Sequence, residues 1–211
     1  MNQRIVPDVV VRRLTQYYYA LRHCRERGLD IVSSQLLGEM LNVTAAQIRK
    51  DLSFFGGFGR QGIGYNVETL LEHIQRILGL QKEWSVALVG LGNLGRALLH
   101  YQGFSQEGFN IVALFDSDAR KVGTNAGGLA IRDDREIRQV LPALGIRIAI
   151  LALPPDKAQE VADMLVAAGV KALLNYAPVT LKVPEDVWVR QMDPLVALQS
   201  MTYYLVGEGE R

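Results

Sequence analysis

The 211-residue sequence predicts an α/β protein: a small helical domain over residues 1–80, a doubly wound parallel-sheet domain over 81–193, and a C-terminal helix and tail over 194–211. Three observations carry this prediction. Helix-spaced apolar stripes fill the first eighty residues, near-continuous apolar strand segments alternate with helical ones after them, and the three-glycine turn VGLGNLG joins the first such strand to a helix. A composition of 49% hydrophobic and 21% charged residues suffices for a substantial core.

Charge and cysteine usage set further bounds. Through Lys82 the chain carries 11 Lys and Arg against 7 Asp and Glu, and the remainder carries 12 against 15. A basic front suits a polyanionic partner, although an excess of this size also lies within ordinary surface variation. The single Cys24 allows no internal disulfide and no thiol-only metal cluster, so a reducing, cytoplasmic setting and no metal are expected. No apolar leader opens the chain and no apolar run reaches the roughly 20 residues of a membrane helix, so a soluble, non-exported protein is expected.

In the front domain, Val10, Leu14, Tyr17, Leu21 and Cys24 form a helix-spaced stripe from Asp8 to about Arg27, and Gly28 stops the helix after its cationic last turn. Ser33 or Ser34 caps a second helix, QLLGEML, which should bury Leu36, Leu37, Met40 and Leu41 and end at Asn42. Thr44 and Gln47 fit a capping box for a third helix, so the pair reads as a helix-turn-helix. On the third helix Ala45, Ile48, Leu52 and Phe55 share one face, while Ala46, Arg49, Lys50 and Ser53 share another. Small, cationic and hydroxyl residues together suit a major groove, and equally a plain solvated face. The segment Gly56–Tyr65 holds five glycines in ten residues and places Arg60 at its centre. Its Phe58, Ile63 and Tyr65 favour a hairpin over a linker, the wing of a winged helix, with Arg60 at a tip that could reach a phosphate or the minor groove. Glu68 to Leu80, through Leu71, Ile74, Ile77 and Leu78, supplies a closing helix, and Gly79 marks the boundary.

The rear domain opens with a buried strand, Ser85 to Val89, that runs into Gly90, Leu91, Gly92, Asn93, Leu94 and Gly95 and then into a helix. In this context the first glycine permits a tight turn, the second lets backbone approach a pyrophosphate, and the third lets helix and sheet pack closely. A second strand, Ile111 to Phe115, ends at Asp116, 21 residues after Gly95. There a carboxylate binds the adenine ribose hydroxyls and repels the extra phosphate of NADP, which favours NAD(H). Leu129–Ile131, Ile146–Leu153, Val170–Leu174 and Val187–Met192 supply further strands, with a helix over Asp156–Ala168, and the expected strand order is 3-2-1-4-5-6.

An NAD-dependent oxidoreductase with an appended helical domain needs a proton donor beside the nicotinamide. His23, His73 and His100 all lie at or before the nucleotide helix, and no Tyr is followed four residues later by Lys. No second domain is long enough to hold a substrate, although Lys121, Lys157 or Tyr176 could still serve. A cofactor used as a signal, with no catalysis, is therefore favoured. Cys24 as a thiol switch is a competing sensor, set against its place on the apolar stripe of the first helix.

The stretches VTAAQIRKDLSFFGGFGRQGIGYNV, VGLGNLG, LFDSDARKVG and LLNYAPVTLKVP, in this order along the chain, resemble the Rex family of bacterial redox-sensing transcriptional repressors. The resemblance implies a homodimer whose winged helices hold a palindromic double-stranded DNA operator and whose Rossmann domains read the NADH/NAD+ ratio, NADH releasing the repressor. It also implies a C-terminal helix, about Pro194 to Val206, exchanged between subunits through Leu195, Leu198, Met201, Tyr204 and Leu205. Carried over by position, Thr44, Ala46, Gln47, Arg49, Lys50, Ser53 and Arg60 would meet DNA. Gly90–Gly95, Asp116, Lys121 and Tyr101 would meet the cofactor, and Asp193 would lie at the subunit contact. Two positions depart from the family. Tyr19 stands where many members have an Arg that pairs with the position of Asp193, leaving Arg22 as a substitute, and Gln61 stands where the wing usually carries a cation.

Overall fold

The computed structural model describes residues 6–59 and 63–206. It divides into two compact units, Met1–Lys82 and Glu83–Arg211.

The first unit comprises α1 (Asp8–Glu26), β1 (Ile31–Val32), α2 (Ser34–Leu41), α3 (Ala45–Ser53), β2 (Tyr65–Asn66) and α4 (Val67–Leu78). The stripe of α1 is fully committed: Leu14, Tyr17, Leu21 and Cys24 pack with Leu37 of α2, Ile48 and Leu52 of α3, and Leu70, Leu71 and Ile74 of α4. The cap of α2 is Ser33, whose hydroxyl accepts the Leu36 amide, and the helix stops at Asn42 in the left-handed region at φ 54°. Thr44 caps α3 by accepting the Gln47 amide at 3.1 Å. Two helices separated by so short a turn form the helix-turn-helix that the capping residues predict.

Three local expectations are corrected. Leu36 and Met40 are 37% and 38% exposed, because α2 has room on the core for one ridge only, led by Leu37. Ile77, in the last turn of α4, is likewise exposed at 39%. The capping box is half made: Thr44 accepts the Gln47 amide, but the Gln47 side chain turns forward and donates its NH2 to the Asp51 carboxylate at 2.7 Å instead of accepting from the Thr44 N–H, a charge-assisted bond being the stronger one. The tip of the hairpin expected over Gly56–Tyr65 lies outside the described residues, so only its two sides are described. The end of this stretch, Tyr65–Asn66, pairs antiparallel with Ile31–Val32, which lies before the helix-turn-helix. Phe58 packs edge-on against His73, and Gly59 lies against the Tyr65 ring, so the described parts of the loop are anchored at both sides. Arg60 and Gln61 lie outside the described residues.

The second unit contains β3 (Trp84–Val89), α5 (Asn93–Leu99), α6 (Gln102–Gln106), β4 (Phe109–Asp116), β5 (Asn125–Ala126), β6 (Leu129–Asp133), α7 (Ile137–Ala143), β7 (Ile148–Leu151), α8 (Pro155–Ala167), β8 (Ala172–Asn175), β9 (Trp188–Gln191) and α9 (Pro194–Val206). Its sheet runs β5-β6-β4-β3-β7-β8-β9, parallel throughout except for β5. This is the expected 3-2-1-4-5-6 order with one short antiparallel strand added at the edge. The addition was not legible because Gly127 and Gly128 make a tight return between strands only a few residues long. Along β3, Val86 and Leu88 enter one apolar cluster and Ala87 and Val89 the other, so both sheet faces are covered. On α9, Leu195, Leu198, Met201, Tyr204 and Leu205 are all more than half exposed within the chain. Among the described residues no helix is long and apolar enough to cross a membrane.

The first unit turns on one buried group. Asp51 of α3 is fully buried and accepts from Arg13 at 2.5 and 2.8 Å, from the Tyr17 hydroxyl at 2.6 Å and from Gln47 at 2.7 Å. Burial by itself would raise its carboxyl, but these donors prevail and hold it below the usual carboxylate range. Removing the carboxylate would strand Arg13 against the core, so Asp51→Ala should cost the first unit about 3–5 kcal/mol, seen as an early transition in urea unfolding. Because the folded value is depressed, this contribution is present above the unfolded value of about 4 and is lost as pH falls through the folded one. The wild-type unit should therefore lose stability on acidification more steeply than Asp51→Ala.

Candidate functional site

Two surfaces carry the residues singled out by sequence. The first lies on α3, where Ala46, Arg49, Lys50 and Ser53 are all exposed along one face while Ile48, Asp51 and Leu52 are buried on the other. Arg49 donates to the Ser34 hydroxyl at 2.9 Å, and Ser53 donates to the Lys50 carbonyl. Thr44 is exposed but spends its hydroxyl on the cap. Gln47, half-buried and bonded to Asp51, does not join this face in the described structure.

The second surface is the crevice at the carboxyl ends of β3 and β7, where the chain reverses its order of addition to the sheet. Gly90 has φ +94°, and a Cβ on it would stand 2.3 Å from the Ala152 carbonyl. A Cβ on Gly95 would stand 1.8 Å from the Gly90 carbonyl, whereas one on Gly92 would meet open space. The first and third glycines are thus demanded by packing, and Gly92, Asn93 and Leu94 are exposed at the mouth. Leu91 turns its side chain into the core and donates its amide to Asp116 at 2.8 Å.

Asp116 therefore ties the glycine turn to the end of β4. It also accepts from Lys121 Nζ at 2.8 Å and from the Asp118 amide at 2.8 Å. Burial opposes its ionisation, yet the Lys121 and amide bonds hold the carboxyl below its ordinary range, so it is a charged acceptor at neutral pH. Next to it, Asp118 is held at about 2 by its fork with Arg120.

The remaining residues are more dispersed. Tyr101 precedes α6, is 60% exposed and packs edge-on against Phe104 at 5.1 Å. Burial, and then the neighbouring Tyr101 phenol, push the Tyr176 hydroxyl up. Asp193 accepts the Leu195 amide at the start of α9. In the first unit, Tyr19 is 56% exposed, and the Arg22 guanidinium lies over the Tyr18 and Tyr19 rings at 5.5 and 5.9 Å.

Sequence reasoning missed two supports. Asp51 could have been found as a lone acid on the inward stripe of α3, matched by Arg13 and Tyr17 one turn apart on α1. Asn175, fully buried, donates to the Val179 carbonyl and to Gln191 and accepts the Ala177 amide, which fixes the loop that carries Tyr176. Gly95→Ala should lower the stability of the second unit by about 1–3 kcal/mol in urea unfolding, with the first unit unaffected, because the new methyl has only main chain to displace.

Two family models match this chain, one in each unit. The family described as "Putative DNA-binding protein N-terminus" matches residues 5–53, and the one described as "CoA binding domain" matches residues 81–179. The chain is 59% identical to the redox-sensing transcriptional repressor Rex of Chloroflexus aurantiacus, over 97% of this chain and 96% of that one. It is 43% identical to Rex 1 of Thermotoga maritima, over 95% and 96%. Among solved structures, RSP in complex with β-NAD+ and operator DNA superposes with a TM-score of 0.91 at 40% identity, covering 97% of this chain and 94% of that one. RSP in complex with β-NADH gives 0.86 at 38% identity, over 97% and 96%. The chain belongs to the Rex family of redox-sensing transcriptional repressors.

Proposed function

We propose that this chain acts in the cytoplasm as a homodimer that holds a palindromic operator and lets it go when NADH fills the crevice at Gly90–Gly95 and Asp116. One observation carries the reading: a single chain presents both a small, cationic, hydroxyl-bearing helix face and a glycine turn tied to an ionised carboxylate at the end of the next strand. Arg49 and Lys50 suit base edges and phosphates, Ala46 permits close approach, and Ser53 suits the backbone. Thr44 and Gln47 serve the recognition helix mainly through its cap and through Asp51, and Arg60 would extend the contact from the wing.

In the crevice, Gly92 to Leu94 offer backbone to a pyrophosphate, and Asp116 would take the adenine ribose hydroxyls. NADP(H) and CoA both carry a phosphate on that ribose, which the ionised Asp116 repels, and the Lys121 charge that could attract it is already engaged. Tyr101 and Tyr176 would flank the nicotinamide end. The apolar face of α9 is too extensive for a solitary helix in water and would be covered by a second subunit, with Asp193 at its start and Arg22 supplying the cation that Tyr19 does not.

The two ligands oppose each other through the shape of the dimer. Two recognition helices about 34 Å apart suit successive major grooves on one side of DNA. If NADH prefers a dimer with a different spacing, then by linkage DNA weakens NADH by the same factor, and roughly 3 kcal/mol of coupling gives an about 100-fold change in operator affinity.

A gel-shift with the operator duplex of the RSP complex tests partner, ligand and direction together. NADH should release the duplex at concentrations where NADPH and CoA do not, and NAD+ should compete with NADH without causing release. Equal NADH affinity with and without operator would refute the coupling. Asp116→Ala should weaken NADH binding about 10- to 100-fold, measured by titration of the free protein, and leave ligand-free operator binding intact.

A further inference from the structure

Ser34 is the first residue of α2, yet the cap of that helix is Ser33. The Ser34 hydroxyl is thus spared from capping, and it accepts an N–H of Arg49 at 2.9 Å. The bond crosses the turn of the helix-turn-helix and joins its two helices through a side chain of the reading face. Both residues line a cleft of about 820 Å³ together with Leu52, Ser53 and Tyr65, between the start of α2, the exposed side of α3 and the glycine-rich loop. Burial pushes the Tyr65 hydroxyl up, and the Arg49 charge works in the opposite direction.

A guanidinium has five N–H donors in a planar fork, and one spent on Ser34 leaves the rest for another acceptor in a fixed plane. A long exposed side chain otherwise surrenders much rotamer freedom when it docks, and a bond already made in the free protein lowers that loss. Ser34 carries no charge, so it can add nothing to the salt-dependent attraction of a polyanion.

We infer that Ser34 is a positioning residue for operator recognition: its hydroxyl sets the direction in which Arg49 presents its remaining N–H groups to a base edge. Selectivity would then depend on a residue outside the recognition helix. This assignment rests on the operator-binding reading above. It separates Arg49, aimed from a neighbouring helix, from Lys50, whose contribution would be that of a point charge.

The test is fluorescence anisotropy with two duplexes, the operator of the RSP complex and a scrambled duplex of equal length, at several salt concentrations. Ser34→Ala should weaken operator binding about 3- to 10-fold and leave the scrambled duplex and the salt slope unchanged, because a neutral hydrogen bond is lost and no charge is removed. Ser34→Thr, which retains a hydroxyl, should restore the operator preference. Arg49→Ala should lose that preference and lower the salt slope by about 1. Adding Ser34→Ala to Arg49→Ala should cost nothing further. A Ser34→Ala protein with the wild-type ratio of operator to scrambled affinity overturns the assignment, as does one that loses both duplexes equally. If the wild-type protein shows no preference for the operator, the repressor reading falls and this assignment with it.

Discussion

A carboxylate withdrawn from water must be fully partnered, and this requirement organises both units. In the first, Asp51 can be buried only because Arg13, Tyr17 and Gln47 converge on it, which fixes α3 against α1 in both rotation and height. The exposed face of α3 follows from that setting: once Asp51 points inward, Ala46, Arg49, Lys50 and Ser53 must point outward. In the second, Asp116 is acceptable near the sheet end because the Leu91 amide, the Asp118 amide and Lys121 surround it. The same bonds close the glycine turn onto the neighbouring strand. Among the described residues no buried side-chain nitrogen or oxygen lacks a partner.

The two carboxylates differ in what they leave available. Asp51 is sealed, with both oxygens engaged by side chains of its own unit, so its charge serves packing and orientation. Asp116 lies at the end of β4, held by Lys121 and two main-chain amides, and its side chain keeps 8% exposure where that of Asp51 has none. Both acids are depressed for the same reason, donors outweighing burial, yet only Asp116 keeps any contact with solvent.

How much of this was legible in the sequence depends on the range of the interaction. Helix ends at Ser33, Asn42 and Thr44 and the parallel sheet were readable, since they follow from spacing of a few residues or from alternation along the chain. The glycine turn was readable because Gly90 and Gly95 answer to close backbone approaches that demand those residues. Pairings across distant segments were not: nothing local to Asp51 says that Arg13 and Tyr17 will converge on it, and nothing in the glycine-rich loop says that Tyr65–Asn66 will pair with Ile31–Val32. Exposure on α2 was misread for a related reason. Periodicity marks the apolar residues of a helix, but the width of the neighbouring core decides how many of them, here chiefly Leu37, go under.

The short ladder between Ile31–Val32 and Tyr65–Asn66 makes the intervening stretch a cassette whose two ends are clipped together by main-chain bonds, with the Val32 and Tyr65 side chains set in the core. Backbone bonds of this sort are indifferent to side-chain identity. The exposed positions of α3 can therefore vary without disturbing the clip, provided that Asp51 keeps its donors. Such an arrangement lets operator preference diversify while the remainder of the scaffold, and the sensor attached to it, is inherited unchanged.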